Sequence, residues 1–188
     1  MDERSDNELI AAYRDGKDDA LATLVRRHIT AMHRFLRRLT GDATVAEDLT
    51  QDSFVKAWKN LSKFNPSKSF KPWLFVIARN TAFDYFRKRK TVTFSELEND
   101  DVPDLAEVIA DDRPLPDEVL ARADVAARLE RALDGLPPNA RSVVLLHETE
   151  DMTFQEIADA VGEPLNTVKS RYRRAIIVLR KMLTDGLS

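Results

Sequence analysis

Between Thr91 and Glu118 the chain carries ten acidic side chains against one basic one, and Pro103, Pro114 and Pro116 are spread through the same stretch. Such a segment buries too little apolar surface to offset the entropy of ordering it, and each proline removes a backbone donor. It is predicted to be a linker, so anything folded must form on either side of it. The 188 residues permit this, since about 150 residues per domain allows one ordinary domain or two small ones. The flanks differ in charge. Residues 1–90 hold 18 basic and 12 acidic groups, a net of +6, whereas residues 119–188 hold ten of each, and the overall charge of −3 hides the segregation.

Both flanks are patterned for helix. Ser5 with Glu8 three residues on is a capping-box signal, and Leu21, Leu24, Val25, Ile29, Met32, Phe35, Leu36 and Leu39 recur at helical spacing up to Gly41, which is expected to end that helix. Val45, Leu49, Phe54 or Ser53, Ala57 and Leu61 continue the pattern in a third helix, and a fourth is predicted from about Pro72 to Lys90. Beyond the linker, helices are expected near Asp117–Asp134 and Asn139–Glu150, and then a short one opened by the Thr153/Glu156 capping box. No alternating β pattern competes. The predicted fold class is all-α: two small helical domains, residues 1–90 and 119–188, joined by the acidic linker 91–118.

Several function classes are excluded by composition. There is no Cys, which removes disulfide scaffolds, thiolate metal sites and Cys nucleophiles, and fits a reducing cytoplasm. The longest apolar run, Trp73–Ala78, is six residues, against about 20 needed to span a bilayer. The charged Met1–Glu8 start lacks the apolar stretch of a signal peptide. A cytoplasmic protein with no direct membrane insertion is the expectation.

In the second domain, Thr153–Val161, a turn with Gly162, and a long helix from about Leu165 form a helix-turn-helix pattern. Val168, Tyr172, Ala175 and Leu179 fall within about 40° of one another at 3.6 residues per turn, an inward stripe with Ile157, Ala158 and Val161 of the preceding helix. Opposite that stripe lie Asn166, Lys169, Ser170, Arg173 and Arg174, with Thr167 and Arg171 at the flank. Guanidinium forks and short polar groups on the first half of such a helix suit base edges and phosphates in a major groove. A merely solvated basic face is the bland reading, but here the basic face coincides with the glycine turn and the capping box.

In the first domain, ten of the 14 aromatics fall between Phe54 and Phe94, interleaved with Lys56, Lys59, Lys63, Lys68, Lys71, Arg79, Arg87, Lys88, Arg89 and Lys90. For any single ring burial is the commoner fate. Rings beside cations are nonetheless what unstacked bases need, and the loop from Phe64 to Phe70 is the least core-like part. A duplex-reading helix-turn-helix beside a candidate single-strand pocket suggests DNA opening.

At these residues the chain resembles the extracytoplasmic-function sigma factors of bacterial RNA polymerase, which keep only conserved regions two and four. The run from Ala46 to Trp58 looks like the region-two helix that docks on the beta-prime clamp helices of core polymerase, and the resemblance implies that Asp48, Gln51 and Asp52 meet basic groups there. The run from Phe70 to Ala82 is similar to the promoter-melting segment. By the same resemblance the loop Lys63–Lys71, with Phe64 and Phe70, captures a flipped base of the minus-ten element, and Trp73 beyond it belongs to the same minus-ten set. Asn80 would touch the duplex edge, and Arg87 and Lys88 would follow the backbone. Leu136–Arg141, Thr153–Ala158 and Thr167–Arg171 look like region four, which reads the minus-thirty-five element through Asn166, Thr167, Lys169, Ser170, Arg171, Arg173 and Arg174 and meets the beta flap. The resemblance implies core RNA polymerase and promoter DNA as partners, an anti-sigma factor as a regulator, and no cofactor. Family members often have Gly where Asn166 stands, and the paired Trp of primary sigma factors is here Trp73-Leu74.

Energetics agree with a need for partners. Opening ten base pairs at about 1.4 kcal/mol each costs roughly 14 kcal/mol, whereas capturing a base on an aromatic surface returns about 1 to 3. The acidic linker would be repelled by bare DNA and attracted into a cationic nucleic-acid channel. Two rival classes fit the residues less well. An enzyme is disfavoured: Glu47 with Asp48, Glu148 with Asp151, and His28, His33 and His147 match no metal or nucleophile motif, and these histidines are expected at the surface or its boundary. An autonomous helix-turn-helix regulator would share the second domain but would need a dimerisation or sensing domain in place of the aromatic, basic first one.

Overall fold

The computed structural model describes residues 3–89 and 122–185, and the predicted linker 91–118 lies outside them. Eight α-helices are described: α1 (Asp6–Arg14), α2 (Asp18–Thr40), α3 (Ala43–Asn60), α4 (Phe70–Arg89), α5 (Arg122–Asp134), α6 (Pro138–Glu148), α7 (Phe154–Val161) and α8 (Leu165–Asp185), with a short 3₁₀ turn at Leu61–Lys63. No strand occurs among the described residues. The all-α expectation is borne out.

Local chemistry fixes most helix ends. Both capping boxes form: the Ser5 hydroxyl accepts from the Glu8 backbone N–H, the Thr153 hydroxyl does the same for Glu156, and each glutamate reaches back to its cap. Gly41 ends α2 with φ 73° and Gly162 ends α7 with φ 71°. A Cβ at Gly162 would meet no atom within 4 Å, so the left-handed backbone and not space calls for glycine there. Asp42 caps α3 by accepting from Thr44 and Val45. Helix α4 starts two residues before Pro72; the proline is still accommodated because first-turn N–H groups have no intrahelical partner.

The first four helices form one bundle. Helix α2 packs on α1, α3 and α4, and α3 packs on α4. Of the predicted stripe of α2, Leu24, Met32, Phe35, Leu36 and Leu39 are all at 3% exposure or less, whereas Leu21 and Val25 are half-buried and Ile29, at the edge of the stripe, is 42% exposed. Burying side chains of this size contributes about 1.5–3 kcal/mol each. His28 corrects the expectation of a surface residue: it is buried, its Nε2 lies 2.7 Å from Asp6, and it meets the edge of Phe70.

Helix α8 is the spine of the second group, contacting α5, α6 and α7. Val168 and Ala175 are fully buried and Leu179 nearly so, as the 3.6-residue spacing requires. Every residue from Ala140 to Leu146 in α6 is buried, because α6 is covered on one side by α7 and α8 and on the other by α2 of the first group. The two groups therefore touch: α2 packs on α5 and α6, and α4 on α7. Arg141 ties this seam, donating to the Leu39 carbonyl at 3.2 Å in one group and to Asp134 Oδ1 at 2.9 Å in the other.

Candidate nucleic-acid interface

Helix α8 presents Asn166, Lys169, Ser170 and Arg173 to solvent, with Thr167 and Arg174 half-buried at the edges. These positions repeat at three- and four-residue steps and back onto Val168, Tyr172 and Ala175. Core and polar face are thus fixed by one periodicity. The Tyr172 hydroxyl donates to Glu148, and burial together with that carboxylate pushes the phenol up to about 12. His147 stacks on Phe154 at 4.1 Å, and its Nδ1 lies 2.8 Å from the Met152 carbonyl. His147, Phe154 and Tyr172 thus pack as one aromatic cluster beneath α8.

One residue of the expected reading face belongs elsewhere. Arg171 is 3% exposed and pairs at 2.5 Å with Glu163 in the turn before α8. Its guanidinium pins the turn to the helix it precedes and faces no groove. Periodicity alone places it at the flank, where a buried ion pair and a groove contact read alike.

Helix α3 turns Glu47, Asp48, Gln51 and Asp52 outward. Sequence reasoning missed their neighbour Val55, which is 52% exposed. It stands seven residues after Asp48 and three after Asp52, so it shares their face. The signal was available in that spacing, since an apolar side chain among acids on one stripe is what an interface centre with a polar rim requires.

The aromatic region needs a larger correction. Phe64 and Phe70 are 3% and 4% exposed, and with Trp73 they form a cluster whose ring centroids lie 5.2–5.5 Å apart. Neither phenylalanine offers a free face to a base here; both hold the loop between them. Trp73 is half-buried. The accessible surface is the polar rim Asn65–Ser69, shaped by the Asn65 side chain accepting from the Ser67 N–H and by the Pro66 carbonyl accepting from Asn7. Beyond it along α4, Asn80, Arg87 and Lys88 are exposed, with Arg87 paired to Asp84. Arg79 is 7% exposed and stacks its guanidinium over Phe83 at 4.2 Å. Burial lowers its pKa to about 10, with Glu163 opposing and Arg171 adding to the shift.

These polar faces sit on two bundles whose sequences match two consecutive family descriptions, Sigma-70 region 2 over residues 24–92 and Sigma-70 region 4 over residues 126–177. The relative CnrH, an RNA polymerase sigma factor of Cupriavidus metallidurans, is 32% identical over 182 residues, covering 96% of this chain and 95% of CnrH. The chain belongs to the extracytoplasmic-function sigma factors of RNA polymerase. This sigma factor is also 34% identical over 165 residues to the extracytoplasmic-function sigma factor SigE of Mycolicibacterium smegmatis, of which it spans 60% while 88% of its own length is matched. The solved structure of CnrH with the cytosolic domain of CnrY superposes with a TM-score of 0.69 at 27% identity, covering 97% of this chain and 99% of that one. RpoE in complex with the anti-sigma factor NepR from Bartonella quintana gives 0.66 at 26% identity over 87% and 96%. As a sigma factor the protein is an alternative initiation factor that directs transcription, and the autonomous-regulator reading is not favoured. Among the described residues no cluster of three or more His, Asp or Glu could hold a metal ion, and no helix is long and apolar enough to cross a membrane.

Proposed function

We propose that residues 1–90 act as region two and residues 119–188 as region four, with 91–118 threading between them through the polymerase. Region two docks on the beta-prime clamp helices through Asp48, Gln51 and Asp52, with Val55 as the apolar centre of the contact. The minus-ten element is held by the rim Asn65–Ser69 and Trp73, and by Asn80, Arg87 and Lys88 along the backbone. Phe64 and Phe70 support that rim from below. Region four reads the minus-thirty-five element with Asn166, Lys169, Ser170 and Arg173, flanked by Thr167 and Arg174, and meets the beta flap. The protein has no catalytic step of its own and works in the cytoplasm beside core polymerase.

The carrying observation is the separation of faces: an acidic face with one exposed valine on α3, and a basic, polar face on α8. The first suits a basic protein partner and the second a duplex. CnrH was solved with the cytosolic domain of CnrY, and RpoE with the anti-sigma factor NepR. Their likeness supports an anti-sigma factor as a partner of this chain too.

The test is transcription from a promoter library by purified protein plus core polymerase. Initiation should need both components and should fall at least a hundredfold in Asp48→Arg, since like charges across an interface cost several kcal/mol. Sequence-specific duplex binding by the free protein with no polymerase complex would overturn the assignment.

A further inference from the structure

The turn Asn65–Lys68 closes on itself, with the Lys68 N–H donating to the Asn65 carbonyl at 3.0 Å. What fixes this turn on the bundle is α1. Asn7 Nδ2 donates to the Pro66 carbonyl at 2.9 Å, and Arg14 donates through a terminal nitrogen to the Leu61 and Phe64 carbonyls at 2.9 and 3.3 Å. Asn7 and Arg14 stand about two helical turns apart, so one face of α1 meets three carbonyls, at the entry to the loop and at its tip. Asp6, beside Asn7, lies 2.7 Å from His28 Nε2, and His28 meets Phe70 edge-on where the loop ends. Lys71, just beyond, is held from the other half of the molecule, donating to the Glu150 carbonyl at 2.8 Å. The α1 contacts lie within the first bundle and travel with the loop. Asn7 itself adds little to stability: its Oδ1 is buried and no donor reaches it among the described residues. A buried acceptor left unpaired costs about as much as a hydrogen bond like the one to Pro66 returns. The amide therefore acts on the position of Pro66 and not on the stability of the bundle.

We propose that Asn7 and Arg14 are positioning residues for base capture: through the Leu61, Phe64 and Pro66 carbonyls they set the rim Asn65–Ser69 in the shape that receives a base of the minus-ten element. This rests on the minus-ten reading of that rim. The physical reason is preorganisation. Phe64 and Phe70 anchor the two ends of the loop, but the rim between them is exposed, and ordering it only when a base arrives would subtract that cost from binding. A loop that holds its receiving shape for a smaller fraction of the time binds more weakly by that fraction. Asn7 and Arg14 act through the backbone and carry no proposed contact with the base. Their loss lowers discrimination as well as affinity, because a loosened rim fits the wrong base nearly as well as the right one.

The test uses holoenzyme assembled from the full-length protein and core polymerase, with fluorescent single-stranded oligonucleotides that carry the minus-ten sequence selected from the promoter library or that sequence with one base changed. Asn7→Leu keeps the side-chain volume and removes the donor. It is expected to bind the selected oligonucleotide about threefold to tenfold more weakly, the effect of one lost hydrogen bond, and to discriminate less at the captured position alone. Its core affinity and its urea midpoint should stay at the wild-type values, whereas a merely structural role would lower the midpoint. Arg14→Met should lose capture in the same way, and Arg14→Lys, which keeps a donor, should recover most of it; this pair carries the test if Asn7→Leu does not fold. Wild-type capture and discrimination in both Asn7→Leu and Arg14→Met, or a loss spread evenly over every position of the element, overturns the inference. If Asn65→Ala and Lys68→Ala capture the oligonucleotide as wild type does, the minus-ten reading of the rim falls and takes the inference with it. A rim that matters beside an α1 that does not overturns the inference alone.

Discussion

The two halves build their polar faces in opposite ways. In the second, a single helix does everything: α8 alternates Val168, Ala175 and Leu179 inward with Asn166, Lys169, Ser170 and Arg173 outward. In the first, α4 is surrounded, touching α2, α3 and α7, and buries Phe70, Leu74, Phe75, Ala78, Arg79, Thr81 and Ala82. Little of its surface is left for solvent, so apart from Asn80 at mid-helix its exposed polar groups sit at its C-terminal end and on the loop before it. A helix at the edge of a bundle separates core from function by angle; a helix at its centre separates them along its length.

The sharpest break of that contrast lies in the aromatic cluster. If Phe64 is core, Phe64→Ala should lower the unfolding free energy by about 3–5 kcal/mol, the usual cost of emptying a buried phenylalanine site. Urea denaturation followed by circular dichroism reads this directly. A variant of unchanged stability that lost only minus-ten capture would return the ring to a base-stacking role.

Arginines divide next. Arg171→Ala removes one member of a buried pair and leaves Glu163 behind, which should cost about 3 kcal/mol or more of stability. Arg173→Ala, two residues away on the exposed face, should leave stability within about 0.5 kcal/mol and weaken binding of minus-thirty-five duplex to the holoenzyme. It should also reduce the slope of log affinity against log salt by about one. Equal stability losses would erase the distinction drawn between buried and exposed arginine.

How far each half was legible follows from the same geometry. The capping boxes, Gly41, Gly162 and the α8 stripe were readable because each is a local rule acting within one turn of helix. The acidic face of α3 and the basic face of α8 were readable as charge at helical spacing. Phe64 and Phe70 were misread because an aromatic run beside lysines describes equally a core rimmed by loop cations and a stacking surface, and only packing by a third element distinguishes them. Here His28 and Trp73 supply that element. Arg171 was misread for a related reason: its partner Glu163 lies across the turn, outside the helix whose periodicity was being counted. Nothing in one sequence showed that α4 and α7 would touch, since contacts between the halves depend on shape at both surfaces.

The smallest effects concern two carboxylates that the halves treat differently, Asp6 half-buried and Glu150 buried. Burial alone would raise the Asp6 carboxyl, but hydrogen bonds and charge from His28 and Arg27 outweigh it and hold the group below the ordinary value of 3.8. Glu150 is also raised by burial, and Lys71, Thr149 and the more distant Arg34 do not compensate, so it stays above 4.5. The signs of the two pH dependences are therefore opposite. Asp6 contributes stability that is present above 3.8 and fades as pH falls through its lowered value; Asp6→Asn should cost about 1–2 kcal/mol at neutral pH and progressively less in acid. Glu150 favours the folded state most when protonated, so wild type loses that contribution as pH rises from 4.5 through the raised value. Glu150→Gln, which cannot ionise, should match wild type at pH 4 and be no less stable than it at pH 7. Denaturant midpoints of the two variants across pH 3–7 check both curves. Parallel curves would mean that the seam between the halves solvates Glu150 as freely as the first bundle solvates its surface acids. In that case Lys71 would be held there by the Glu150 carbonyl alone.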